Sequence, residues 1–104
     1  MADDSTLECP VARTLTIIGD RWAILILRDL FQQGPRKFAD LETSLVGVSP
    51  KTLSDRLKRL TAAGILEQKF YSMHPPRAEY ILTSKGKELG PIVKTMREWG
   101  TRHT

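Results

Sequence analysis

Residues 49–66, SPKTLSDRLKRLTAAGIL, read as one amphipathic helix with a marked start, a marked stop and a basic outer face. Ser49 suits the N-cap, because its hydroxyl can accept from an orphan N–H of the first turn. Pro50 fits the first helical position, where its missing N–H costs nothing. Leu53, Leu57 and Leu60 recur at helical spacing as a narrow apolar stripe, and Gly64 suits a left-handed stop. At about 100° per residue, Lys51, Asp55, Lys58 and Arg59 fall opposite that stripe, with Thr52, Ser54 and Arg56 on its flanks. From Lys51 to Arg59 there are four cations and one carboxylate. A duplex major groove asks for this mixture, because phosphates need charge and base edges need donors and acceptors. A solvated surface helix can carry a basic face too, so the neighbouring segments decide.

Upstream, Lys37 to Leu45 reads as a short helix, with Phe38, Leu41 and Leu45 three and four residues apart, and the VGV loop joins it to Ser49. Downstream of Gly64 the period changes. Ile65 to Tyr71 and Ala78 to Thr83 are short, rich in β-branched or aromatic residues, and separated by SMHPPR, which predicts a hairpin with a proline-stiffened tip. A short helix, a tight turn, a basic helix and a two-stranded flap make a winged helix-turn-helix, a mainly α (α+β) fold. In that geometry the second helix of the pair enters the major groove, and His74 and Arg77 on the flap tip reach the flanking backbone.

The rest of the chain frames this unit. Pro10 to Ile18 carries Val11, Leu15 and Ile18 at helical spacing and stops at Gly19. Asp20 suits the cap of a second helix, Arg21 to Gln32, whose WAILILRDLF run is apolar on most sides and so central. Thr83 suits the cap of a last helix, Ser84 to about Arg102, with a kink or break near Gly90 because Pro91 lacks a backbone donor.

A chain of 104 residues is one domain by length, and its 40% apolar content excludes general disorder. The formal charge of +4 is mild and suits a polyanionic partner without requiring one. No 18-residue apolar run is present, so no membrane helix is expected. The opening MADDSTLECP is acidic and unlike a secretory signal, and a lone cysteine cannot staple the chain internally. These features predict a cytoplasmic protein, with a loose tail over residues 1–8 and a domain over residues 9–104.

Specific binding normally pairs two half-sites about 34–36 Å apart through a two-fold axis. Val11, Leu15 and Ile18 on the first helix and Ile92, Val93, Met96 and Trp99 on the last offer apolar faces for this, which predicts a homodimer through the N- and C-terminal helices. Cys9 stands where the first helix begins. Backbone N–H groups there favour an anion, and a thiolate is one. Arg13, one turn on, adds to that effect. Most single cysteines are small buried hydrophobes instead.

Three ordered blocks, CPVARTLTIIGDRWAILILRDL, GPRKFADLETSLVGVSPKTLSDRLKRLTAAGIL and HPPRAEYILTSKGKELGPIVKTMREWG, closely resemble the HxlR-type family of bacterial and archaeal transcription regulators. The likeness runs from Cys9 to Gly100. It implies a dimeric winged-helix protein that represses or activates nearby genes, with Ser49 to Leu60 as recognition helix and Met73 to Arg77 as wing. Cys9 matches the N-terminal cysteine of members that sense electrophiles and oxidants. With no second cysteine, such a switch would need an intersubunit disulfide or an adduct at Cys9. Other members respond to no known thiol signal.

Two rivals are weighed against this reading. An enzyme needs a nucleophile, a base and an orienting group together, and the two histidines, His74 and His103, stand on the wing and near the C-terminal end. Cys9, His74 and His103 have no ligand spacing, so neither a metal nor another cofactor is expected. A winged helix used only for protein binding would need no basic reading face. The expected partner is therefore double-stranded DNA, held by Ser49, Lys51, Thr52, Ser54, Asp55, Arg56, Arg59, His74 and Arg77, with Cys9 as a redox-sensing candidate. Arg56 has an alternative role, packing its stem on the subunit and pairing with Glu42 or Asp40.

Overall fold

A computed structural model describes residues 8–104. The tail expected over residues 1–8 therefore lies, apart from Glu8, outside the described residues. The chain order is α1 Pro10–Ile18, α2 Arg21–Gln33, β1 Arg36–Lys37, α3 Phe38–Ser44, α4 Pro50–Ala62, β2 Leu66–Met73, β3 Pro76–Leu82, α5 Ser84–Lys87 and α6 Gly90–His103.

The helix ends follow from local chemistry. Asp20 caps α2, its Oδ1 accepting from the backbone N–H of Trp22 at 2.8 Å and of Ala23 at 3.0 Å. Gly19 between α1 and α2 has no room for a side chain, since a Cβ there would lie 2.2 Å from the Leu15 carbonyl oxygen. Ser49 caps α4 by accepting from the Thr52 N–H at 3.1 Å, and Pro50 sits in its first turn. Gly64 follows α4 at φ 77°, the left-handed region where a side chain is strained.

The expected last helix is two helices. Thr83 caps α5, its hydroxyl accepting from the Gly86 N–H at 3.0 Å. Pro91 then stands in the first turn of α6, where a proline costs no helical hydrogen bond. The break falls at Glu88 and Leu89, just before Gly90, and puts Pro91 at a helix start.

The core sits where α2, α3 and α4 meet the root of the flap. Ile26 and Leu27 of α2, Leu41 of α3, Leu45 just after it, Leu53, Leu57 and Leu60 of α4, and Leu66 of β2 are all fully buried. Burying each leucine contributes about 1.5–3 kcal/mol before entropy is counted. The three α4 leucines leave that helix one way to sit, with its polar side outward.

The flap is a sheet of three antiparallel strands in the order β1-β3-β2, where two strands were expected. β2 and β3 pair as Leu66↔Leu82, Gln68↔Tyr80 and Phe70↔Ala78, and the register slips between Phe70 and Ser72, making Tyr71 a bulge. β1 adds Arg36↔Tyr80 and Lys37↔Glu79 at the sheet edge. A two-residue strand is too short to show a period, and its pairing partner lies over forty residues away. The strands also reach further than the alternation suggested, so the tip narrows to His74 and Pro75. Pro76 opens β3, a position where a strand tolerates proline.

Candidate nucleic-acid interface

α4 carries its leucine stripe on the core and turns its other side to solvent. Lys51, Lys58 and Arg59 are exposed, and Thr52, Ser54, Asp55 and Arg56 are half-buried. Ser49 and Thr52 are partly occupied by the helix itself: besides accepting from the Thr52 N–H, Ser49 donates its proton to Thr52 Oγ1 at 2.9 Å.

The charged side chains of α4 are ordered in a chain that begins in the scaffold. Asp20, held by two α2 amides through Oδ1, places Oδ2 2.7 Å from Arg56 Nε. Arg56 Nη1 donates to Asp55 Oδ2 at 2.5 Å. The same oxygen lies 3.1 Å from Arg59 Nε, one helical turn on. The Arg56 side chain is 23% exposed and the Arg59 side chain 68%. Arg56 therefore does pair within the subunit, but with Asp20 and Asp55 and not with Glu42 or Asp40. Asp40 is engaged at the start of α3, where its Oδ2 accepts from the Lys37 N–H at 3.0 Å.

A second charged group fixes the angle between the helices and the flap. Asp29 of α2 is buried, at 3% exposure. It lies 3.0 Å from Arg36 Nε and 3.9 Å from Arg28 Nη2, and it accepts from the Ser44 hydroxyl at 2.6 Å. One carboxylate thus fastens α2 to the end of α3 and to β1, an edge strand of the flap. No periodicity in the sequence marks this contact.

The flap projects beside α4. His74 and Arg77 are exposed at its tip, and the Ser72 hydroxyl donates to the Pro75 carbonyl at 3.1 Å, closing the turn. Phe70, Tyr71 and Met73 are exposed on β2, and Lys37 Nζ lies 5.2 Å from the centre of the Tyr71 ring. Away from these groups, burial raises the Tyr80 phenol above its ordinary pKa.

On another face, α1 and α6 expose Val11, Leu15, Ile92, Met96 and Trp99. A groove of about 390 Å³ runs between them, lined by Val11, Leu15, Ile18, Ile24, Ile92 and Met96 among others. Ile18 and Val93, expected on this face, are buried in the subunit core instead. Cys9 is exposed and is the N-cap of α1, without a side-chain capping bond. Arg13 turns Nη1 to the Glu8 carbonyl at 2.9 Å. Among the described residues no three His, Cys, Asp or Glu side chains gather as a metal-binding group, and no helix is long and apolar enough to cross a membrane.

A helix pair with an outward cationic second helix, flanked by a β flap, defines a winged helix-turn-helix protein of the kind that regulates transcription. Residues 17–104 match the model of the HxlR-like helix-turn-helix family, and the chain belongs to that family. It is 39% identical over 93 residues to an uncharacterised HTH-type transcriptional regulator of Synechocystis, covering 89% of this chain and 68% of that protein. It is 36% identical over 96 residues to another from Halalkalibacterium halodurans, covering 92% and 85%. Its fold superposes on the redox regulator HypR in its oxidised form with a TM-score of 0.86 and 33% identity, over 92% of this chain and 98% of that one.

Proposed function

We propose that this transcriptional regulator binds specific DNA as a homodimer, with residues 9–104 as its working domain and no catalytic step of its own. The observation that carries the reading is the division of α4. Its three leucines are fully buried while Lys51, Lys58 and Arg59 stand free of the core. In a major groove these cations meet phosphates and base edges, with Lys51, Thr52, Ser54 and Asp55 turned to the bases. His74 and Arg77 on the wing hold the flanking backbone. Arg56, paired with Asp20 and Asp55, anchors the reading helix more than it reads. The apolar groove between α1 and α6 supports a two-fold assembly through those helices, which would set two copies of α4 one turn of DNA apart. The protein would act in the cytoplasm, where its DNA is.

The test is a gel shift on DNA upstream of the protein's own and adjacent genes, at 50 and 200 mM salt. A shift that weakens by orders of magnitude at the higher salt is expected from several phosphate contacts. No shift at the lower salt on any of this DNA would leave a protein-binding winged helix in its place.

The exposure of Cys9 at the start of an apolar terminal helix supports a second reading, in which its oxidation alters DNA binding. Two thiols on two subunits would lose two protons and two electrons to an oxidant such as diamide and form one disulfide. The likeness to a protein named as a redox regulator adds to this. The gel shift should change with diamide in the wild type and not in Cys9→Ser. Equal behaviour of the two proteins would remove the sensing role and leave the DNA reading intact.

A further inference from the structure

We infer that Arg59 is a guanine-reading residue, oriented for that purpose by the chain of charges that starts at Asp20; this deepens the DNA-binding reading and rests on it. A guanidinium has five N–H groups in a flat fork. Arg59 Nε lies 3.1 Å from Asp55 Oδ2. The Arg59 side chain is 68% exposed, so the rest of the fork is open to a partner from outside.

An isolated pair of this kind, four residues apart on an exposed helix, would restrain the arginine weakly. Here the clamp is itself held. Asp55 also accepts from Arg56 at 2.5 Å, Arg56 lies 2.7 Å from Asp20, and Asp20 is fixed by two backbone amides of α2. Each member but the last is tied at both sides. The outermost guanidinium thus loses less freedom when it docks.

The charge balance argues for reading over steering. Asp20, Arg56, Asp55 and Arg59 sum to zero, so the chain adds nothing to the general attraction for phosphates. Lys58, exposed on the same helix, supplies that attraction, and a phosphate would accept it in many orientations. A carboxylate kept beside the bases repels loose phosphate contacts and so favours specificity over affinity. The base is then set by geometry. Two parallel donors need two acceptors, and in the major groove only guanine offers a pair, O6 and N7. Adenine offers one acceptor and a donor, thymine one acceptor, and cytosine a donor.

The experiment is selection of bound duplexes from a random library with the wild type, Arg59→Lys and Asp55→Asn, followed by binding measurements on the selected site. The wild type should enrich a guanine at one symmetric position per half-site. Arg59→Lys keeps the charge and loses the fork, so it should lose the preference there by about 5- to 150-fold and keep the rest of the site. Asp55→Asn should weaken the same preference while binding random DNA as tightly or more tightly. Replacing that guanine by 7-deazaguanine removes N7 and should weaken the wild type about tenfold or more and Arg59→Lys little. A guanine preference that survives in Arg59→Lys, or a 7-deaza effect equal in both proteins, overturns the inference and leaves DNA binding standing. A wild type that enriches no sequence overturns both.

Discussion

Two charged networks leave α2, and they end differently. The one at Asp29 closes on itself: the carboxylate is buried, and Arg36 and Ser44 meet it from β1 and the end of α3. The one at Asp20 runs outward through Arg56 and Asp55 and finishes on the exposed Arg59. The first holds the helices and the flap at a fixed angle. The second carries that rigidity to the surface and leaves its last member open. A closed network should matter to folding and little to sequence choice, and an open one the reverse.

Variants at the two networks can break that contrast. The largest effect is expected for Asp29→Ala, which strands Arg36 beside the core without its counter-charge. Because the Arg36 side chain keeps 23% of its exposure, the loss should fall near the lower end for a broken buried pair, about 3 kcal/mol by urea unfolding. Next is Arg59→Ala, which should cost about 1–3 kcal/mol of affinity for the selected site if it reads a base. Its unfolding midpoint should stay within about 0.5 kcal/mol of the wild type. Asp20→Ala touches both functions. It removes the α2 cap, for about 0.5–2 kcal/mol in unfolding, and it frees Arg56, so site preference should soften in the binding assay. The smallest effect is expected for Lys58→Ala, which should weaken all DNA alike and reduce the salt slope by about one. If Asp29→Ala shifted base preference in protein that remained folded, or Arg59→Ala mainly lowered stability, the two networks would have to exchange roles.

Most of the scaffold of the interface was legible because its signals are local. Ser49, Pro50, the Leu53–Leu57–Leu60 stripe and Gly64 each act within one turn of the chain, and Asp20 announced itself as a cap in the same way. What escaped depends on distance. β1 is two residues that become a strand only against Tyr80 and Glu79. Arg56 found Asp20, thirty-six residues earlier, and Asp40 meets the Lys37 amide instead. The burial of Asp29 is invisible to a pattern that sees only an acid inside an apolar run. Asp20 thus had two roles, and the sequence displayed the local one alone.

The central claim is that the outer face of α4 lies in the major groove of a two-fold site. Dimethyl sulfate methylates guanine N7 in that groove, so protection of N7 in the bound complex tests it directly. The account predicts protected guanines in two patches one helical turn apart, about 10 base pairs, with protection lost at one position per half-site in Arg59→Lys. Full methylation of every guanine in a complex that stays bound would contradict it.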